Sequence, residues 1–311
     1  MHIAVCFRQD VRNEQPVPCY ARSYAEAFEA MGHMVTLAGE GHDHPHLQAL
    51  HALRPDLIVE IENGRNAEGQ LRFQVPEIDW HDIPPTVVVL IDSHGHPDLH
   101  QAVARSYAHV FFAVWARREL YANHPSAHWC PNATDLRWFH PNTKTELDGM
   151  LRWERITPSI DYGFFGSKMG LERADDLVEI CKRREWTYDV REVVKARRHR
   201  WPATAEAMAA CRYLYNRGQK HDGPNQRVME SMAMLRPLIT DLDERDGMAK
   251  LFKNGEHFVG YHAGIPGSLE EAMEYVRDPQ FAQGMVIAAF KEVSEKHQVL
   301  HRAQQILEVV K

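Results

Sequence analysis

The stretch LIDSHGHPDLH, residues 90–100, concentrates titratable side chains at the end of an apolar run. The run closes on Asp92, and His94, His96, Asp98 and His100 follow at once. Three chemistries compete for this pattern. Converging imidazoles at His94, His96 and His100, joined by His42, His44 and His46 from an earlier loop, could ligate a metal. A lone carboxylate at Asp92, assisted by His94, could orient or deprotonate a hydroxyl near neutral pH. The plainest alternative is a polar loop in a histidine-rich chain, with Asp98 capping the helix that follows. Where the loop lies in the fold must separate them.

Further along, YLYNRGQKHDGPNQRVMESMAM (213–234) closes a strand on Asn216, passes through a polar loop and enters a helix near Pro224 or Asn225. Arg227 and Glu230 stand three positions apart and so share neighbouring parts of one helix face. A carboxylate at Glu230 can accept hydrogen bonds from two vicinal hydroxyls, while the simpler reading is a surface ion pair with Arg227. DYGFFGSKMGLER (161–173) sets Gly166 and Ser167 at a strand-to-helix junction, where backbone N–H groups can approach an anion. Lys168 and Arg173 are near enough in sequence to help neutralise a diphosphate. The competing reading there is an ordinary strand-to-helix turn.

These residues need a scaffold, and the hydrophobic rhythm supplies one. Short apolar runs at 3–7, 34–38, 55–62, 85–92 and 109–114 alternate with amphipathic segments, including ARRELYANH after the last of them. The pattern is that of a parallel sheet covered on both faces. Residues 131–149, rich in turn formers, read as an interdomain connection. The rhythm restarts with runs at 159–166, 187–193, 213–216, 237–241 and 257–262, and the tail is helical. The fold class is therefore α/β, with two Rossmann-like domains facing each other across a cleft and C-terminal helices. The expected boundaries are 1–135 for the first domain, 136–285 for the second, and 286–311 for a C-terminal helix packing back toward the first. Ligands of open parallel sheets sit beyond the carboxyl ends of the strands. The loops carrying Asp92, Gly166 and Asn216 all fall there.

Composition narrows the function. No apolar run approaches the ~20 residues that span a bilayer, and the opening MHIAVCFRQDVRNEQ lacks the pattern of a secretory leader. The five cysteines are scattered without a CxxC pair, which points to a reducing, cytoplasmic setting rather than a disulfide framework. A net charge of −7 disfavours broad attraction to nucleic acid. The basic run VVKARRHRWP (193–202) is the local exception and reads first as a solvated turn. Neither GxGxxG nor GxxxxGK[ST] occurs, so dinucleotide and P-loop chemistry lack their sequence support.

Taken in order, VVVLIDSHGH, HVFFA, WCPNATDLRWFHP, DYGFFGS, YLYN, GPNQRVMESMA, PLITD, LFKNGEHFVGY and EKHQVLHRAQQIL resemble a GT-B glycosyltransferase. The likeness is to the CgeB-like group, of spore-maturation-protein type, and more distantly to GT4-like retaining enzymes. It implies transfer of a sugar from a nucleotide-diphospho-sugar, held mainly by the second domain, to a hydroxyl acceptor held mainly by the first. By position, Glu230 would bind ribose or sugar hydroxyls. Gly166, Ser167, Lys168 and Arg173 would attend the diphosphate, and Asn216, Asn225 and Arg227 would shape the donor pocket. Asp92, with His94, becomes the catalytic candidate on the acceptor side. No cofactor and no metal are expected, and the acceptor stays open among a glycan, a small molecule, a protein or modified DNA. The competing functions are a nucleotide-sugar 2-epimerase of the same fold, a non-catalytic sugar-nucleotide or glycan-binding protein, and a metal-dependent hydrolase built on the histidine loops.

Overall fold

The computed structural model describes residues 1–7, 19–39, 42, 53–62, 84–91, 97–147, 150–155, 157–166, 168–192, 201–218, 224–243, 245 and 247–311. It divides into two units, Met1–Pro131 with Val299–Lys311, and Asn132–Gln298. Each is built on its own parallel sheet.

In the first unit the strands are β1 (His2–Cys6), β2 (Met34–Ala38), β3 (Leu57–Ile61), β4 (Thr86–Leu90), β5 (His109–Phe112) and β6 (Ala127–Trp129). Their spatial order is β2-β1-β3-β4-β5-β6, with every pairing parallel. LIVEI and TVVVL, the two inner runs, are buried along their whole length because both sheet faces are covered. The helix α1 (Tyr20–Ala30) follows β1, starts on Cys19 and ends before Gly32, whose φ of +84° suits a residue without a side chain. After β4 comes α2 (Pro97–Ala104), with Asp98 in its first turn. The segment expected as a helix after β5 is a 3₁₀-helix (Trp115–Tyr121). It is short for a self-sustaining α-helix, and Trp115 is held 4.9 Å from the Trp129 ring.

The second unit opens with a departure from expectation. Residues 131–149 do more than connect, for β7 (Asn142–Leu147) and β8 (Met150–Arg155) pair as an antiparallel hairpin. The Asp-Gly pair at 148–149, the two residues between these strands, is the sequence signal for such a turn.

There follow β9 (Ile160–Gly166), a 3₁₀-helix (Lys168–Ala174), α3 (Asp175–Arg183), β10 (Tyr188–Glu192), α4 (Trp201–Ala209) and β11 (Cys211–Asn216). Then come α5 (Gln226–Ala233), β12 (Leu238–Asp241), α6 (Met248–Leu251), β13 (Val259–Tyr261), α7 (Ser268–Tyr275) and α8 (Pro279–Lys296). The strand order is β10-β9-β11-β12-β13, again all parallel.

Alternation along the strands sends side chains to two separate cores. Phe165, Leu214 and Leu238 pack with Met208, Val228, Met229, Met232 and Val293 on one face. Tyr162, Phe164, Tyr215 and Ile239 pack with Leu177, Ile180, Met273 and Val276 on the other. The last helix, α9 (Val299–Val310), belongs to the first unit, where Arg302 Nε donates to the Pro131 carbonyl at 2.7 Å and Gln305 Nε2 to that of Trp129 at 3.0 Å.

One glycine of β9 is required by close approach. A Cβ at Gly163 would lie 2.5 Å from Cys211 Sγ and 2.8 Å from Cε2 of Phe165. Gly163→Ala is therefore expected to destabilise the second unit by about 1–3 kcal/mol, read as a lower urea midpoint with an unchanged slope. A midpoint equal to wild type would show that Cys211 yields freely.

Candidate functional site

The second sheet fixes where a ligand can sit. β9 is followed outward by β10, after which the chain crosses back to lay β11 on the other side of β9. The connections therefore diverge at the carboxyl ends of β9 and β11, the switch point at which open α/β sheets bind ligands. Gly166 ends β9 and Asn216 ends β11, so two predicted donor residues stand at this point.

Asn216 is 4 % exposed, and a polar side chain so buried needs partners. Its Nδ2 donates to Thr240 Oγ1 at 3.0 Å, and its Oδ1 accepts from Asn225 Nδ2 at 3.1 Å. Asn225 precedes the first turn of α5 as its N-cap, taking the Val228 N–H on its Oδ1 at 3.2 Å. Thr240 Oγ1 donates to Asp241 Oδ1 at 3.4 Å, which also accepts the Gly218 N–H at 2.8 Å. Burial pushes the Asp241 carboxyl up from its ordinary value, with the Gly218 N–H acting the other way. Thr240 and Asp241 were not among the sequence-predicted site residues. The signal available was their place at the end of a parallel strand.

Arg173, in the 3₁₀-helix after β9, reaches the same turn. Its Nη1 donates to the Arg217 carbonyl at 2.7 Å. Gly166 leaves room beside it, since a Cβ there would sit 3.7 Å from Arg173 Nη2 but only 2.7 Å from Cε1 of Phe164. The backbone of Lys168 begins this 3₁₀-helix. Ser167 lies outside the described residues. Behind the turn, Tyr215 Oη contacts Tyr261 Oη at 2.7 Å and donates to the Arg173 carbonyl at 3.1 Å. Burial raises the Tyr215 phenol to about 12, so it stays a neutral donor across the physiological range.

Arg227 and Glu230 are indeed paired along α5, Nη1 to Oε2. The pair does not lie on the surface. Glu230 is 1 % exposed, and desolvation pushes its carboxyl up to about 7 even though Arg227 pulls the other way through charge and hydrogen bond. The i,i+3 surface-pair reading is thereby corrected, because α5 is buried on all sides around Glu230 (Val228, Met229, Ser231 and Met232 are buried with it). A buried carboxylate with a near-neutral pKa is unusual for a structural pair and common at functional sites.

In the first unit, Asp92, His94 and His96 lie outside the described residues, as do His44, His46 and the basic run at 193–200. Their flanks are described. Glu62, just beyond β3 and buried, accepts the Ile91 N–H on Oε2 at 2.5 Å, and its Oε1 lies 3.3 Å from Nε2 of the buried His100. One carboxylate thus meets both Ile91 and His100. His100 is occupied inside the protein, and His42 packs edge-on against Phe7. Among the described residues, no group of three or more His, Cys, Asp or Glu side chains could hold a metal ion.

The glycosyl transferase-like family matches this sequence over residues 151–308, which is just over half of the chain. The chain belongs to that family. It is a glycosyltransferase with two Rossmann-like domains of the GT-B fold. Solved structures agree on the fold at low identity. Anabaena HepE, solved with UDP and glucose, is 15% identical with a TM-score of 0.59, covering 100% of this chain and 99% of that one. Sucrose-phosphate synthase from Thermosynechococcus elongatus is 12% identical with a TM-score of 0.62, over 99% and 98% of the two chains. A glycosyltransferase from Rickettsia africae is 11% identical with a TM-score of 0.61, over 100% and 97%. Comparison with curated proteins gave no match.

In this glycosyltransferase the predicted donor residues form two groups. Asn216 and Asn225 join directly at the switch point, with Gly166 and Arg173 beside the same turn. Arg227 and Glu230 form the second group, one helical turn into α5. Among the described residues, no helix is long and apolar enough to cross a membrane.

Proposed function

We propose that the protein transfers a glycosyl group from a nucleotide-diphospho-sugar to a hydroxyl acceptor, and that it falls within the CgeB-like group. One observation carries the donor reading: the family match covers the domain whose switch point gathers Gly166, Arg173, Asn216 and Asn225, with buried Glu230 close behind in sequence. HepE structures hold UDP-glucose or UDP with glucose, which supports a diphosphate-linked donor here. The second domain (expected over 136–285) would hold the donor, and the first (over 1–135) the acceptor.

In this reading Arg227 keeps Oε2 of Glu230, and a vicinal hydroxyl of the donor ribose or sugar takes the other carboxylate oxygen. Arg173 and Lys168 neutralise the diphosphate as it departs, helped by backbone N–H groups at Gly166 and Ser167. Those cations and amides make a resident metal or cofactor unnecessary. Asp92, with His94, orients the acceptor hydroxyl. The five cysteines are free thiols, which suits a cytoplasmic setting.

A thermal-shift screen of UDP-, GDP-, dTDP- and CDP-sugars, each with and without EDTA, tests the proposal. One nucleotide class is expected to raise Tm by several degrees, since saturation near 100 times Kd adds about 2.7 kcal/mol, and EDTA should leave the shift intact. No shift with any of the four classes would sink the donor assignment. Conversion of the bound sugar-nucleotide with no acceptor present would favour the 2-epimerase instead.

A further inference from the structure

The hydrogen bonds joining α5 to β12 run in only one direction, and the two ends of the chain enforce it. At one end the Val228 N–H can only donate, so the side of Asn225 facing it must be Oδ1. Asn225 therefore presents Nδ2 to Asn216, which must answer with Oδ1 and present its own Nδ2 to Thr240. The Thr240 hydroxyl, having accepted, donates to Asp241, whose ionised carboxylate only accepts and also takes a second donor from the backbone turn. That second donor is the Gly218 N–H. One series of bonds thus grips both ends of the β11–α5 connection, Gly218 as the chain leaves β11 and Asn225 as it enters α5.

We infer that Thr240 and Asp241 are positioning residues for the donor. By fixing the amide orientations of Asn216 and Asn225 and the backbone at Gly218, they set the shape of the nucleotide-sugar pocket without touching the ligand. The inference rests on the donor-binding reading above and adds two residues to it. Thr240 is the link that a single atom decides. Valine keeps its shape but offers no hydroxyl, leaving Asn216 Nδ2 buried without an acceptor and severing Asp241 from the chain. Serine restores the hydroxyl on a smaller side chain.

The test is isothermal titration with the nucleotide-sugar that shifts wild type most, on Thr240→Val, Thr240→Ser, Asp241→Ala and Asp241→Asn. Thr240→Val and Asp241→Ala are expected to raise Kd about tenfold or more, equivalent to about 1.4 kcal/mol. Thr240→Ser and Asp241→Asn, whose side-chain oxygens still accept, should stay within about threefold of wild type. Asp241 lies partly exposed at the strand end, so its variants remain informative if Thr240→Val does not fold. Rescue by the conservative partner is the signature that a general loss of stability would not give. Equal binding by wild type, Thr240→Val and Asp241→Ala overturns the inference alone, as does failure of both conservative variants to rescue. A wild type that binds no nucleotide-sugar overturns the donor reading first, and this inference with it.

Discussion

Glu230→Gln is expected to weaken nucleotide-sugar binding by at least tenfold while leaving the protein as stable as wild type or more so above neutral pH. The two effects have one cause. Burial raises the Glu230 carboxyl to about 7 against the pull of Arg227, so the folded state holds a proton that the unfolded chain releases near pH 4.5. The sign follows from linkage. Below about 4.5 the residue is neutral in both states and its contribution to stability is fully present. That contribution is lost as pH rises through about 7, where the folded state must carry a buried charge. The loss is on the order of 3 kcal/mol. Glutamine carries no charge to bury, so the variant should shed this pH dependence. It also replaces a carboxylate that accepts at both oxygens, one from Arg227 and one from a donor hydroxyl, with an amide that accepts at one atom only. Melting temperatures across pH 5–9, with titration calorimetry at pH 8, separate the two effects. Unchanged donor affinity would remove Glu230 from the site. A variant destabilised at pH 8 would mean that the Arg227 pair contributes more than burial takes away.

The second large effect is expected at Asp92. Asp92→Asn should lower kcat by about 10²- to 10⁴-fold, the range for loss of a positioned acid or base, with donor Kd unchanged. His94→Gln should lower kcat less than Asp92→Asn does, as expected of an assisting group. Glu62 takes the Ile91 N–H before the segment and faces the His100 ring after it, both from inside the protein. The product anomer, read by NMR, decides what Asp92 does. Inversion fits a base acting on the acceptor hydroxyl. Retention keeps Asp92 only as an orienting group, and a kcat within tenfold of wild type in Asp92→Asn removes it altogether.

How far the sequence could be read depended on the range of the forces involved. Strand positions were legible because a strand buried on both faces must be apolar throughout, as LIVEI and TVVVL are. The 142–155 hairpin was legible too, in the Asp-Gly pair between its strands, but turn formers around it masked the signal. The 3₁₀ geometry of Trp115–Tyr121 was not, since amphipathic spacing alone does not distinguish an i,i+3 from an i,i+4 ladder over so few residues.

At the site the division is sharper. Residue types and short spacings placed Gly166, Arg173, Asn216, Asn225, Arg227 and Glu230 at strand ends and on one helix, which depends only on neighbours in the chain. Whether Glu230 met water or protein depended on the packing of α5 within the second unit, and that burial turned an apparent surface pair into a carboxylate with a near-neutral pKa. Whether Asn216 had a partner depended on the parallel register of β11 with β12, which sets Asn216 opposite Thr240. The sequence by itself determined which side chains stand at the carboxyl ends of the strands, because strand and helix periods are local. Only the tertiary structure decided which of them meet and which lose water, because hydrogen bonds and desolvation between residues far apart in sequence exist only once the sheet has formed.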